Sequence, residues 1–318
     1  MGCPVGVAWG QELLSYSFPE GHPMNVTRLS LFAIELEKRI HSDPNVKRIP
    51  TARAARQDME LFHEPKYVEF VLEASKAGAG LLDEGDTPAF PGIYDASAWI
   101  VGTTLNCLKY IEDGREVKHA INPVGGLHHA KPGRAGGFCV FNDASIAIMA
   151  AHKHTPDRNI LYFDIDAHHG DGVYYPFEEA PWLYIVDIHE DGRYLYPGTG
   201  YREETGTGRA IGTKINLCLR PGAGDDEFMS ALEEAEEVFE KSNPWLIIFQ
   251  AGADGLLGDP LTHLRYSAKS HGEAARRIHR AAHRYSDGRL LVLGGGGYSP
   301  ENVANAWLRV TEELLQGV

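Results

Sequence analysis

The sequence predicts a single α/β domain spanning residues 1–318, with a mainly parallel central sheet flanked by helices. Three observations carry this. Short apolar runs ending in polar or glycine residues recur along the chain, as strands buried on both faces of a parallel sheet require. Segments of helical periodicity lie between them. No Pro/Gly/Ser-rich linker, internal repeat or low-complexity tract divides the chain.

In chain order, Leu29, Phe32, Leu36 and Ile40 recur at helical spacing. Residues 83–92, rich in Pro and Gly, read as a surface loop between helical stretches. Residues 160–163, Ile-Leu-Tyr-Phe, read as a buried strand, as do residues 182–188. Phe228, Leu232, Ala235 and Phe239 form one helical face, with Asp225 as its expected N-cap. Residues 245–249 and 290–293 are the last two strands, and residues 274–285 between them form a helix whose Arg and His side chains face solvent.

The chain carries 30 Lys+Arg against 44 Asp+Glu, a net charge of −14, which argues against direct nucleic-acid binding. No apolar run is long enough to suggest a membrane span, and the N-terminus does not read as a secretory signal. Met1-Gly2 resembles a myristoylation start, but Gly6 stands where Ser or Thr is needed. Cys3, Cys107, Cys139 and Cys218 are too scattered for a zinc knuckle and read as reduced thiols. A compact, stand-alone cytoplasmic protein is expected, its oligomeric state open.

In parallel α/β folds, ligands bind beyond the carboxyl ends of the strands. The polar residues after each apolar run should therefore share a pocket. Strand alternation would put Asp164, Asp166 and His168 on one side. Asp254 follows the strand at 245–249. Asp166, His168 and Asp254 would make a mixed N/O site suited to Zn²⁺ or Fe²⁺, with room for water and substrate. A strand-end salt-bridge cluster is the other reading. His128 and His129 sit beside glycines, and Asp164 and Asp171 are carboxylates available to stand behind them. A His backed by an Asp is a general-base arrangement. After the last strand comes Gly294-Gly295-Gly296-Gly297-Tyr298. It reads as a close backbone approach with a hydroxyl for an oxyanion, a phosphate loop or a plain turn. Neither a GxxxxGK[ST] motif nor a GxGxxG opening a helix is present, which disfavours nucleotide binding.

Together these segments resemble the zinc-dependent histone deacetylase family, including its bacterial acetoin-utilization-type members. The matching pieces are His22-Pro23 with Arg28-Leu29, Phe62-His63, Asp86-Thr87-Pro88, His128-His129-Ala130 and Gly136-Gly137-Phe138-Cys139. They continue, in family order, with residues 164–172, Pro197-Gly198-Thr199-Gly200, Gly252-Ala253-Asp254 and residues 294–298. The resemblance implies an arginase/deacetylase-type fold and hydrolysis of acetyl-lysine or related acyl amides.

It also implies roles. Asp166, His168 and Asp254 would be the metal ligands. His129 would be the general base and later the general acid, with His128 as its electrostatic partner. Asp164 and Asp171 would back His128 and His129. Tyr298 would polarise the carbonyl. Phe138 and Tyr196 would wall the channel beside Gly137, and Asp86 would hold the substrate backbone at its rim. A K⁺ ion would use Asp164 and main-chain oxygens around Asp166 and His168. Asp187 stands where the family often has a hydroxyl residue, which weakens that expectation. Some family members carry His at the Tyr298 position and are poor deacetylases, so Tyr298 implies an active enzyme.

The arginase-like ureohydrolases share the fold class, but Gly170 and Gly252 stand where their second metal needs Asp. Acetylated polyamines, or another small acylated amine, are the rival substrates. Polyamine-selective relatives guard the entrance with Glu where this chain has Leu261, which favours acetyl-lysine. A non-catalytic metal-binding scaffold is a third reading, opposed by Tyr298 and both His pairs.

Overall fold

The computed structural model describes residues 4–317 apart from Arg115, and of His41 the main chain only. Cys3 and the Met1-Gly2 start lie outside the described residues. The chain runs β1 (Val5–Ala8), α1 (Ser30–Ser42), β2 (Val46–Ile49), α2 (Arg56–Met59), α3 (Pro65–Ala77), α4 (Ile93–Asp113) and β3 (His119–Asn122). It continues α5 (Asp143–His154), β4 (Ile160–Asp164), α6 (Asp171–Tyr174), β5 (Leu183–Glu190), β6 (Lys214–Leu219), α7 (Asp225–Ala235) and α8 (Glu237–Ser242). The last elements are β7 (Leu246–Gln250), α9 (Ala268–Tyr285), β8 (Leu290–Leu293) and α10 (Pro300–Leu315).

The strands form one sheet of eight in the order β2-β1-β3-β8-β7-β4-β5-β6. Every pairing is parallel. The pleat divides the core by face. Leu161, Phe163, Ile247, Phe249 and Val292 join Phe32, Leu36, Ile278 and Trp307 on one side. Ile160, Tyr162, Leu246, Ile248 and Leu291 join Leu108, Ile111, Ala147 and Ile148 on the other. Both faces are covered by helices, which is why the central strands are continuously apolar. The edge strand β2 exposes Lys47 and Arg48, charges that discourage pairing with another sheet.

The register matters most for the site. Asn122, Leu293, Gln250, Asp164 and Asp187 are successive cross-strand partners. They form one row across five neighbouring strands, the last residue of β3, β8, β7 and β4 and three residues short of the end of β5. The loops leaving those four strands must therefore start side by side.

Three details depart from the sequence reading. The helix expected from Phe228 to Phe239 is two, α7 and α8. Its cap is Gly224, whose N–H donates to Glu227 Oε2 (2.9 Å), not Asp225. The Asp225 carboxylate instead accepts from the Ser267 main chain and from the Ser267 and Ser270 hydroxyls, each at 2.7 Å, tying α7 to the start of α9. And β4 ends at Asp164, so Asp166 and His168 are brought together by a buried loop, not by strand alternation.

Candidate active site

His128 and His129 reach the site on the loop after β3. Asp143, the first residue of α5, holds that loop. Its Oδ1 accepts from the Gly126 and Leu127 N–H groups (3.0 and 2.8 Å), and its Oδ2 from the Thr104 hydroxyl (2.6 Å). Gly126 turns at φ +92°, where a Cβ would lie 2.9 Å from the Gly295 nitrogen. The chain past β3 is thus pressed against the chain past β8.

Each histidine has a carboxylate behind it. His128 Nδ1–H donates to Asp164 Oδ2 (2.8 Å), which also accepts from the Tyr162 hydroxyl (2.6 Å). His129 Nδ1–H donates to Asp171 Oδ1 (2.8 Å), while the other Asp171 oxygen pairs with Lys131 (2.7 Å). The two Nε2 atoms are 3.1 Å apart. Burial alone would lower His128, but Asp164 and Asp166 overcome it and hold it at about 10. Burial lowers His129 to about 4, assisted by the charge on His128 and opposed by Asp171. Burial would raise Asp171, but His129 and Lys131 hold it well below the usual carboxylate range.

Beside them, His168 Nδ1 lies 3.1 Å from both Asp166 Oδ1 and Asp254 Oδ2. One donor atom from each of these three buried residues falls within 4.8 Å of the others. The remaining oxygens are fixed by the protein. Asp166 Oδ2 accepts from Gln250 Nε2 (2.9 Å) and the Gly296 N–H (2.8 Å), and Asp254 Oδ1 accepts from the Ala167 N–H (2.8 Å). Burial would lower His168, yet the two carboxylates raise it to about 10. A nitrogen and two carboxylate oxygens converging where positive charge is favoured fit a divalent cation. A Cβ on Gly252 would lie 2.2 Å from Asp166 Oδ2, and one on Gly170 3.0 Å from Asp164 Oδ2. The carboxylates a second ureohydrolase-type metal needs have no room there.

The glycine run is held from beneath by Arg28. Its buried guanidinium donates to the Gly297 and Gly295 carbonyls (2.6 and 2.7 Å). The Tyr298 N–H donates to Asp259 Oδ2 (2.8 Å). Burial raises the Asp259 carboxyl to about 7, with the Asp254 charge adding to it. Tyr298 reaches a cavity of about 200 Å³ lined also by Asp86, His129, Gly137, Phe138, His168, Leu195, Tyr196 and Leu261. Burial, then Asp254 and Asp166, keep its hydroxyl protonated far above neutrality. Phe138 sits at φ +66°, held by its N–H to Thr87 Oγ1 (3.1 Å) and by the Tyr16 hydroxyl on its carbonyl (2.6 Å). Its ring meets Tyr298 edge-on at 5.8 Å, and Tyr196 meets His129 at 5.0 Å.

Asp86, His129, Gly137, Phe138, His168, Tyr196, Leu261 and Tyr298 thus line one cavity, with His128, Asp164, Asp166, Asp171 and Asp254 packed behind it through their contacts to His129 and His168. The loop at 83–92 is no mere surface turn, since Asp86 lines the cavity and Thr87 holds Phe138. Asp187 lies behind it, already accepting from the Gly170 N–H (2.8 Å) and paired with His189 Nδ1 (2.7 Å). The sequence reading did not single out Lys131, Asp143, Gln250 or Asp259, and gave Arg28 no role.

Comparison with known proteins agrees with this geometry. Residues 22–314 match the histone deacetylase domain model. The acetoin utilization protein AcuC of Bacillus subtilis (strain 168) is 38% identical over 94% of this chain and 79% of its own length. The AcuC protein of Staphylococcus xylosus is 33% identical over 98% and 82%. The solved HDA15 HD domain superposes with a TM-score of 0.88 at 24% identity, covering 98% of this chain and 90% of its own, a likeness of fold.

Proposed function

This chain belongs to the histone deacetylase family and is a deacetylase, and from that premise we propose a metal-dependent amidohydrolase acting on acetylated lysine side chains of proteins or peptides. One observation supports the reading above others. The Asp166–His168–Asp254 cluster, the His129–Asp171 pair and Tyr298 meet at one small cavity with aromatic walls.

Asp166, His168 and Asp254 would hold the ion, with Zn²⁺ as our assignment and Fe²⁺ compatible with the same donors. Bound there, it supplies a Lewis acid for the acyl oxygen and acidifies a water. His129 takes the proton of the attacking water and returns it to the leaving amine. Asp171 fixes the His129 tautomer, so that Nε2 is the basic nitrogen. His128, held by Asp164, supplies charge beside it. Tyr298 donates to the carbonyl oxygen as negative charge develops. Phe138 and Tyr196, with Gly137 beside them, wall the methylene chain of the substrate, and Asp86 accepts from its backbone at the rim. K⁺ beside Asp164 would complete the arrangement.

Leu261 supports the lysine assignment, because a carboxylate there would select a polycation. The net charge of −14 favours the second reading, an acetylated polyamine or other small acylated amine. Acetate release from an acetyl-lysine peptide and from N-acetylputrescine, side by side, separates the two. Higher kcat/KM on the peptide is expected, and preference for the polyamine would overturn the lysine assignment. No release from either by the metal-loaded protein would overturn the acetyl-amide reading itself.

A further inference from the structure

A second histidine cluster lies at the opposite end of the sheet. His119 opens β3, so it stands at the amino edge, whereas the reaction cavity lies beyond the carboxyl edge. His279 and His283 are one turn apart on α9, and thus on one face of it. His119 Nε2 lies 3.1 Å from His279 Nε2 and 3.1 Å from His283 Nε2. The three ring centroids form a nearly equilateral triangle with sides of 4.7, 5.0 and 4.9 Å. One ligand nitrogen from each residue lies within 4.8 Å of the other two.

Hydrogen bonding alone serves this geometry poorly. A neutral imidazole nitrogen carries one proton or one lone pair. His119 Nε2 has two neighbours at hydrogen-bonding distance, so it can serve them only by sharing. A cation between the three nitrogens would use all three lone pairs at once. Tetrahedral zinc, with Zn–N of about 2.0–2.1 Å, sets its nitrogens about 3.3 Å apart, close to the separations here.

We propose that His119, His279 and His283 form a second divalent-metal site that takes a borderline ion such as Zn²⁺. Imidazole donors without carboxylates favour such an ion over Mg²⁺ or Ca²⁺. His119 and His279 are buried and His283 is exposed, so the site opens to solvent on one side. That opening gives the ion access and leaves a fourth position for water. Burial and the neighbouring rings push His119 down to about 3 and His279 to about 4, so both are neutral ligands at pH 7. Lys118, which opposes positive charge on His119 and His283, has its ammonium paired with Asp287 (2.7 Å). The bound ion would clip the last turns of α9 to the start of β3. It makes no contact with the reaction cavity, so the inference stands apart from the substrate assignment.

The test is zinc stoichiometry. Tag-free full-length protein is stripped with a chelator and titrated with Zn²⁺ against a chromophoric competitor. Wild type is expected to take two equivalents, and His283→Gln and His279→Gln one each. Asp254→Asn should retain the equivalent held by the histidine cluster. The second equivalent should raise the melting temperature of wild type by a few degrees and leave both histidine variants unmoved, while their acetate release matches wild type. A single equivalent in wild type that Asp254→Asn loses, or two in both histidine variants, would overturn the proposal. His283 is exposed, so its variant is expected to fold and keeps the comparison valid if His279→Gln does not.

Discussion

Replacing Tyr298 by Phe removes one oxygen and very little else. The ring contact with Phe138 at 5.8 Å persists, as does the approach of Arg28 to the ring face at 5.8 Å. The main-chain bond to Asp259 does not involve the side chain. Tyr298 lines the reaction cavity, so loss of its hydroxyl should strand no buried group. The folded state should hardly register the change. The reaction should register it strongly. A neutral hydroxyl lining a cavity with aromatic walls is a preorganised donor to developing charge, and losing one such donor costs about 2.7–4 kcal/mol, or 10²–10³ in kcat. The assay is acetate release at saturating substrate, with KM, melting temperature and metal content measured on the same preparation. A fall in kcat of that size with the other three unchanged is the expected result. A kcat within about threefold of wild type would refute the oxyanion role. A matching drop in melting temperature would show that the hydroxyl supports the fold instead.

Other perturbations test neighbouring parts of the account. Asp171→Asn should leave His129 misoriented and lower kcat by on the order of 10⁴, judged by the equivalent change in serine hydrolases; a change in KM alone would argue that Asp171 serves binding. Leu261→Glu should move the ratio of kcat/KM from peptide toward N-acetylputrescine by about tenfold, and an unchanged ratio would show that this position does not face the substrate. His63 is buried, with Nδ1 on the Lys131 carbonyl (3.1 Å) and Nε2 accepting from the Asn142 N–H (2.9 Å). Burial lowers it to about 4 from 6.5. The unfolded chain therefore binds this proton more readily than the folded one. The stability involved is fully present above pH 6.5 and is lost as pH falls toward 4, roughly 3 kcal/mol in all. Urea unfolding of His63→Asn should show a shallower loss between those pH values than wild type, and equal slopes would contradict the assignment.

Half of the sheet was legible in the sequence because of its burial. β4, β5, β7 and β8 are apolar along most of their length, since helices cover both faces of the central sheet. β2 escaped notice because an edge strand can carry Lys47 and Arg48 outward. β3 escaped because its ends are His119 and Asn122, polar residues that are nonetheless buried, and β1 is only Val-Gly-Val-Ala. The break between α7 and α8 follows no proline or glycine, so periodicity alone ran through it. Within the site, the His128-His129 doublet and the Asp164-Asp166-His168 run are short-range patterns that invite a chemical reading. Asp143, Gln250, Asp259 and Arg28 act through contacts between distant segments. Arg28 meets Gly297 across 269 positions, and no local spacing encodes such a partnership. Lys131 lay next to the His pair, and a single Lys there gave no signal until Asp171 was brought beside it.

Amide hydrolysis by this chain should require a metal at Asp166, His168 and Asp254. The most direct measurement is acetate release by one preparation in three states: as purified, stripped by a chelator, and restored with one to two equivalents of Zn²⁺. Turnover should fall to background on stripping and return on restoration, with Asp254→Asn inactive in every state. Full turnover in the stripped protein, or in Asp254→Asn, would contradict it.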